Sequence, residues 1–111
     1  MNKIDLHQVK SKEIIPGFDA KFIQSENVTL AYWNIKAGSK FPQHAHPNEQ
    51  VTNILRGKFK LTVDGITKVI SKGSVVIIPP KANHSGIAIT DCHILDVFYP
   101  FRSDYSKSKK E

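Results

Sequence analysis

Two of the chain's five histidines stand as His44-Ala45-His46, a spacing that suits a metal ion. Side chains two apart on an extended strand face the same side, so the two imidazoles form a pincer. Gln50 has the same parity and opens the next strand after the Pro47-Asn48 turn, which brings its amide oxygen back toward them. His84, opening a later strand beyond Pro79-Pro80, supplies a third imidazole from across the molecule. Three nitrogens and one oxygen around one divalent ion leave one or two positions open for water or substrate. Zn, Ni, Mn, Co and Fe all accept that donor set, so the residues do not select among them. Each residue alone has a plainer reading, as a surface or hydrogen-bonded side chain; the combination is what points to a metal. Glu49, of opposite parity, takes the place of Gln50 only if the strand carries a bulge.

The elements that must position these residues read as strands. Residues 28–35 and 51–55 are rich in β-branched and aromatic side chains and stop at Gly38 and Gly57. Residues 58–63 alternate, with Lys58, Lys60 and Thr62 on one face and Phe59, Leu61 and Val63 on the other. Asp64-Gly65 is a two-residue hairpin signal of the type I′ kind, and 66–70 is the return strand. Gly73 opens 74–78, read as a buried strand halted by Pro79-Pro80. Strands over 84–89 and 93–99 complete the ordered part. About eight or nine short strands, with no amphipathic helix of three turns, predict an all-β antiparallel sandwich or barrel. The expected organisation is an N-terminal arm with edge strands over 1–26, a barrel over 27–105 and a charged, flexible tail over 106–111. Pairing the edge strands with a second chain would cover them, so a homodimer is expected.

Composition narrows the partners. A chain of 111 residues has room for one domain. The net charge is +6, yet Arg56 and Arg102 are the only arginines and the lysines are scattered, which argues against nucleic acid. No apolar run approaches the roughly 18–20 residues needed to cross a bilayer, and the first residues lack the apolar core of a secretory signal, so a cytoplasmic protein with no membrane association is expected. Cys92 is the single cysteine; it excludes a disulfide framework or thiolate cluster within one chain and reads as a small buried hydrophobe.

The glycine, histidine and proline spacings resemble those of the cupin superfamily. Its first motif runs Gly, five residues, His-x-His, three or four residues, Glu, six residues, Gly, and Gly38, His44, His46, Gln50 and Gly57 fall on those positions. Gly73, Pro79 and His84 match the second motif, after a spacer of 15 residues. Lys81 and Ala88 stand where that motif has glycine and asparagine. The resemblance covers 38–88 and implies a single-domain cupin, an antiparallel jelly-roll β-barrel. Gln50 stands in place of the usual glutamate. An amide keeps the oxygen donor but leaves the ion its full charge, which favours Lewis-acid work over oxygen activation.

A narrower resemblance comes from residues 44–52, His-Ala-His-Pro-Asn-Glu-Gln-Val-Thr, together with 95–105, Leu-Asp-Val-Phe-Tyr-Pro-Phe-Arg-Ser-Asp-Tyr. These are similar to the small cupins of the pectin-degradation, KdgF-like type. The resemblance implies metal ligands at His44, His46, Gln50 and His84, catalytic roles for Asp96 and Arg102, and substrate contacts from Phe98, Thr52 and Arg102. It implies an isomerase- or lyase-type enzyme of uronate metabolism that converts unsaturated monouronates to the linear keto form with one divalent metal ion. Asp96 would move protons, Phe98 would wall the sugar and Arg102 would offer its fork to a small carboxylated substrate. Plainer roles stand beside these: Asp96 bonding a neighbour, Phe98 filling the core, Arg102 pairing with Asp104. A non-catalytic sugar-acid-binding cupin and an Fe-dependent dioxygenase are the alternative functions.

Overall fold

The computed structural model describes residues 1–105, so the tail expected over 106–111 lies outside the described residues. A single 3-10 turn, Leu6–Gln8, precedes ten strands: β1 (Lys12–Ile15), β2 (Phe18–Gln24), β3 (Thr29–Ile35), β4 (Lys40–His44), β5 (Glu49–Arg56), β6 (Lys58–Val63), β7 (Ile66–Ser71), β8 (Val75–Ile78), β9 (His84–Ala88) and β10 (Cys92–Tyr99). They form two sheets, ordered β1-β2-β3-β10-β5-β8 and β4-β9-β6-β7, with antiparallel pairing throughout. The architecture is the expected all-β jelly roll. The two sheets pack face to face and are not hydrogen-bonded into a closed barrel. Among the described residues no helix is long and apolar enough to cross a membrane.

Alternation explains why these segments pair as they do. In β3, Thr29, Ala31, Trp33 and Ile35 are buried while Asn34 is exposed; in β10, Cys92, Ile94, Asp96 and Phe98 turn inward. A slip of one residue would invert both sets, so burial fixes the register. Aromatic rings carry much of the packing: Phe18 meets Phe41 at 5.1 Å and Trp33 at 6.0 Å, both edge to face, contacts worth about 0.5–1.5 kcal/mol each beyond area burial. Cys92 is buried, its thiol donating to the Lys58 carbonyl at 3.2 Å, as a small core residue does.

The turns obey their chemistry. Asp64 and Gly65 both have positive φ, 46° and 81°, as the type I′ hairpin requires. Gly57 sits at φ 92°, where a Cβ would run into the Asp91 carbonyl. One expectation fails: 74–78 is not buried on both faces. β8 lies at the sheet edge, and Val75 and Ile77 are 60% and 64% exposed while Ile78 is fully buried. A short apolar run does not distinguish a central strand from an edge strand. The second difference concerns His46, which is not on one strand with His44. β4 ends at His44, and His46 stands in the 45–48 connection leading into β5.

Candidate metal centre and pocket

His44, His46 and His84 converge despite coming from different local structures. One ring nitrogen from each lies within 4.8 Å of the others. Each imidazole has its other nitrogen pinned to a backbone carbonyl two residues away: His44 Nδ1–H donates to Pro42 (2.8 Å), His46 Nδ1–H to Asn48 (3.0 Å) and His84 Nδ1–H to Ala82 (3.0 Å). A carbonyl only accepts, so Nδ1 carries the proton and every Nε2 presents a lone pair. This is the tautomer that a metal requires, set by the outer partner. Burial lowers all three imidazoles, with a smaller push from neighbouring cations, and takes His84 down to about 4. They are neutral at pH 7. The Nε2 of His84 is buried and has no hydrogen-bond partner among the described residues, a cost that a bound cation would remove.

Gln50 lies beside the three imidazoles. Its side chain is buried, whereas Glu49 is exposed, so no bulge turns Glu49 inward. Gln50 Oε1 lies 2.9 Å from His46 Nε2. With His46 protonated at Nδ1, both atoms present lone pairs to each other. Donors held at about 2.0–2.1 Å from one ion sit about 3 Å apart, so the separation fits two members of a coordination sphere. The other end of the amide donates to Thr52 Oγ1 (2.9 Å), and a flip of Gln50 would lose that bond. Lys81 contributes through its backbone: it adopts φ 68°, the conformation for which the motif uses glycine, and its N–H donates to the His46 carbonyl at 2.8 Å.

Asp96 is buried beside this cluster. Thr52 Oγ1 donates to its Oδ1 at 2.6 Å, so a chain of bonds runs Gln50, Thr52, Asp96. Burial raises the carboxyl to about 6, against the pull of Thr52, Gln50, Trp33 and Arg102. The Trp33 indole N–H is near enough to act on the acid, but it has no hydrogen bond of full geometry among the described residues.

Phe98 is buried edge-on to His46, at 5.5 Å between centroids. The Arg102 guanidinium lies over Phe98 at 5.0 Å and over Tyr105 at 4.2 Å. Its fork is held by Asp104, with Nη2 donating to Oδ2 (2.7 Å) and Nε to Oδ1 (3.2 Å). The pairing with Asp104 considered from the sequence is therefore present. A substrate carboxylate would have to share or displace it. Asn48 secures this segment by donating to the carbonyls of Pro100 (2.6 Å) and Phe101 (3.2 Å).

One pocket, of about 500 Å³ with its open mouth included, gathers His44, Gln50, Thr52, His84, Asp96, Phe98 and Arg102. Of the eight expected site residues only His46 does not line it; its ring contacts two that do, Gln50 and Phe98. Trp33 and Tyr105 also line the pocket and were not singled out from sequence. The alternation of β3 puts Trp33 on the inner face, but only the register with β10 places it across from Ile94 and next to Asp96's strand.

With this geometry in place, the comparisons are consistent. The cupin-domain model, Cupin_2, matches residues 31–98, and the chain belongs to the cupin family. It is 27% identical over 108 residues to the H2HPP isomerase of Bacillus subtilis, covering 95% of this chain and 46% of that protein. It is 28% identical over 85 residues to an uncharacterized protein of Streptomyces coelicolor, covering 76% of this chain and 81% of that one. The chain thus spans about half the length of the H2HPP isomerase. Among solved structures, an RmlC-like cupin from Shewanella frigidimarina superposes with a TM-score of 0.85 at 26% identity, covering 89% of this chain and 90% of that one. KdgF from Halomonas sp. superposes with a TM-score of 0.84 at 22% identity, covering 89% and 93%.

Proposed function

We propose that this protein is a metal-dependent cupin enzyme that moves a proton on a small carboxylated substrate, an isomerase-type reaction. The observation that carries this is the convergence of three neutral imidazoles, each with Nδ1 held by a backbone carbonyl and Nε2 left to the cluster, beside a pocket that holds a buried acid poised near 6. His44, His46, Gln50 and His84 would hold one divalent ion, which when bound supplies Lewis-acid polarisation of a substrate oxygen. Asp96 takes a proton from one substrate atom and returns one to another. Its raised position lets it serve as base or acid near neutrality. Thr52 holds Asp96 and Gln50 in fixed orientation. Phe98 walls the substrate, and Arg102 meets its carboxylate once Asp104 yields part of the fork.

The finer reading takes an unsaturated monouronate as substrate and the linear keto acid as product, as the KdgF-like motifs suggest. The likeness to the B. subtilis isomerase supports the reaction class. The same reading takes the protein as cytoplasmic, with a cupin unit over 27–105 and an arm over 1–26. It is also a homodimer. On the outer face of the six-stranded sheet one cross-strand row runs Ile23, Leu30, Val97, Val51, Ile77, flanked by exposed Val75. Five strands at about 4.8 Å spacing and about 20 Å long offer about 500 Å² per copy, so a two-fold pair buries about 1,000 Å², the lower limit for specific association.

The test is NMR of the metal-loaded protein in D2O with unsaturated galacturonate and with simple oxo acids. Deuterium entering a C–H position next to the carbonyl, or a shifted double bond, supports proton transfer. Tight binding with unchanged recovery would make the protein a binding cupin, and oxygen uptake with Fe(II) would make it an oxygenase.

A further inference from the structure

The outer face of the four-stranded sheet is exposed and carries charge of one sign. β4, β6, β7 and β9 contain Lys40, Lys58, Lys60 and Lys68 and no Asp or Glu. Pairing sets Lys40, Ile87, Lys60 and Val69 in one cross-strand row and Ser85, Thr62 and Thr67 in the next. Strands lie about 4.8 Å apart, so Lys40 and Lys60 leave the sheet about 10 Å apart on either side of Ile87. Among the described residues none of these lysines forms an ion pair. Asp64 and Asp91, in the connections after β6 and β9, accept from the backbone N–H groups of Asn83 and Ala37.

The face is shaped as well as charged. A shallow depression of about 700 Å³, its open side included, lies among Lys40, Pro42, Lys60, Thr62 and Ser85. A second, lined by Ile15, Pro16, Lys36 and Ser39, shares Lys40 and Pro42 with it. Together they make one trough around the β4 edge, with cations, hydroxyls and apolar side chains along it and no acid. Ser85 stands between the buried His84 and Gly86 on β9, so its side chain turns outward. Its hydroxyl has no hydrogen bond among the described residues. The Thr62 and Thr67 hydroxyls bond each other at 2.7 Å, which uses one hydrogen of the two and leaves the other for a ligand.

These features select among anions. No arginine offers the planar fork that suits phosphate; lysines supply point charges on flexible stems. A second copy of this chain would bring the same lysines and be repelled. A peptide joins a sheet through backbone bonds at a strand edge, but Pro42 offers the β4 edge no N–H and the register breaks between Phe41 and His44. A ring bearing a carboxylate, hydroxyls and an apolar C–H face meets all three kinds of side chain in the trough.

We propose that this trough is a second binding site, separate from the metal centre, for a linear carboxylated oligosaccharide. Lys40 and Lys60 pair with its carboxylates, Ser85, Thr62 and Thr67 bond its hydroxyls, and Pro42 and Ile87 lie against its ring faces. The test is titration of the full chain, zinc-loaded and chelator-treated, with four hexamers: oligogalacturonate, oligoglutamate, polyphosphate and neutral maltohexaose. Oligogalacturonate is expected to bind at least fivefold tighter than any of the others, equally with and without zinc, and to weaken at least fivefold between 0.05 and 0.5 M NaCl. Amide NMR shifts are expected at Lys40, Lys60, Thr62 and Ser85. Lys40→Glu and Lys60→Glu, each with an unchanged melting temperature, should weaken binding at least tenfold. Equal or tighter binding of oligoglutamate or polyphosphate would make the face a peptide or phosphate surface and overturn the assignment. Binding of maltohexaose as tight as that of oligogalacturonate, loss of binding on chelation, full affinity in both variants, or no binding of oligogalacturonate would overturn it equally.

Discussion

Replacing Asp96 by Asn is expected to stabilise the protein at neutral pH while removing its proton transfer. Burial raises the Asp96 carboxyl from 3.8 to about 6, so an ionised Asp96 costs the native state free energy that the unfolded chain does not bear. A shift of about 2.2 units at 1.36 kcal/mol per unit is about 3 kcal/mol, present in full above pH 6 and absent below 3.8. The sign follows from proton counting. Between 3.8 and 6 the native state binds more protons than the unfolded one, so this group's contribution to stability falls as pH rises. The cost is about 3 kcal/mol at pH 7.5 and about 1 kcal/mol at pH 4.5. Asn keeps an acceptor for the Thr52 hydroxyl and removes the charge; its added N–H2 must find a partner, a cost that does not depend on pH. The measurement is urea denaturation of chelator-treated wild type and Asp96→Asn at both pH values. The variant should gain about 2 kcal/mol relative to wild type on going from pH 4.5 to 7.5, equivalent to about 8 °C or more in Tm. A pH-independent difference would refute the claim that Asp96 is a buried acid held near 6.

The histidines should make the metal-free protein acid-labile. His84 is held at about 4 against 6.5 in the unfolded chain, so its contribution is present above pH 6.5 and lost as pH falls toward 4, up to about 3 kcal/mol; His84→Gln should flatten that slope in denaturation curves. Gln50→Glu restores a carboxylate and should tighten divalent-ion binding at least tenfold by chelator competition. Lys81→Gly relieves φ 68° and should raise stability by about 0.5–1 kcal/mol, read by thermal melts. Ile77→Lys on the outer sheet face should shift a dimer to monomer by light scattering, with the wild type dimeric at the same concentration.

Much of the site was legible because strand parity is a local rule. The inward faces of β3, β6 and β10 follow from alternation, and Asp64-Gly65 announces its hairpin. His44, Gln50 and His84 were readable from motif spacing, although the reason given for His46, shared parity on one strand, was not the one the structure uses. It reaches the cluster from a connection held by Asn48 and Lys81. Position within a sheet was not legible: β8 has the composition of a central strand and lies at the edge. Nor was the pairing of Arg102 more than one of two readings, since a fork facing Asp104 or a substrate has the same sequence. The aromatic side of the pocket lining was hidden for a different reason. Phe18, Phe41, Phe59 and Trp33 come from four strands in two sheets, and only the packing of those sheets brings their rings together.

The central claim is that His44, His46, Gln50 and His84 grip one divalent ion. Its most direct test is elemental analysis of protein refilled after chelation by dialysis against Zn, Ni, Mn, Co and Fe(II) in turn, beside His44→Ala and His84→Ala variants whose folding is verified by circular dichroism. One tightly held ion per chain is expected for at least one of these metals, and none in either variant. A folded wild type that retains no ion, or variants that retain it undiminished, would contradict the account.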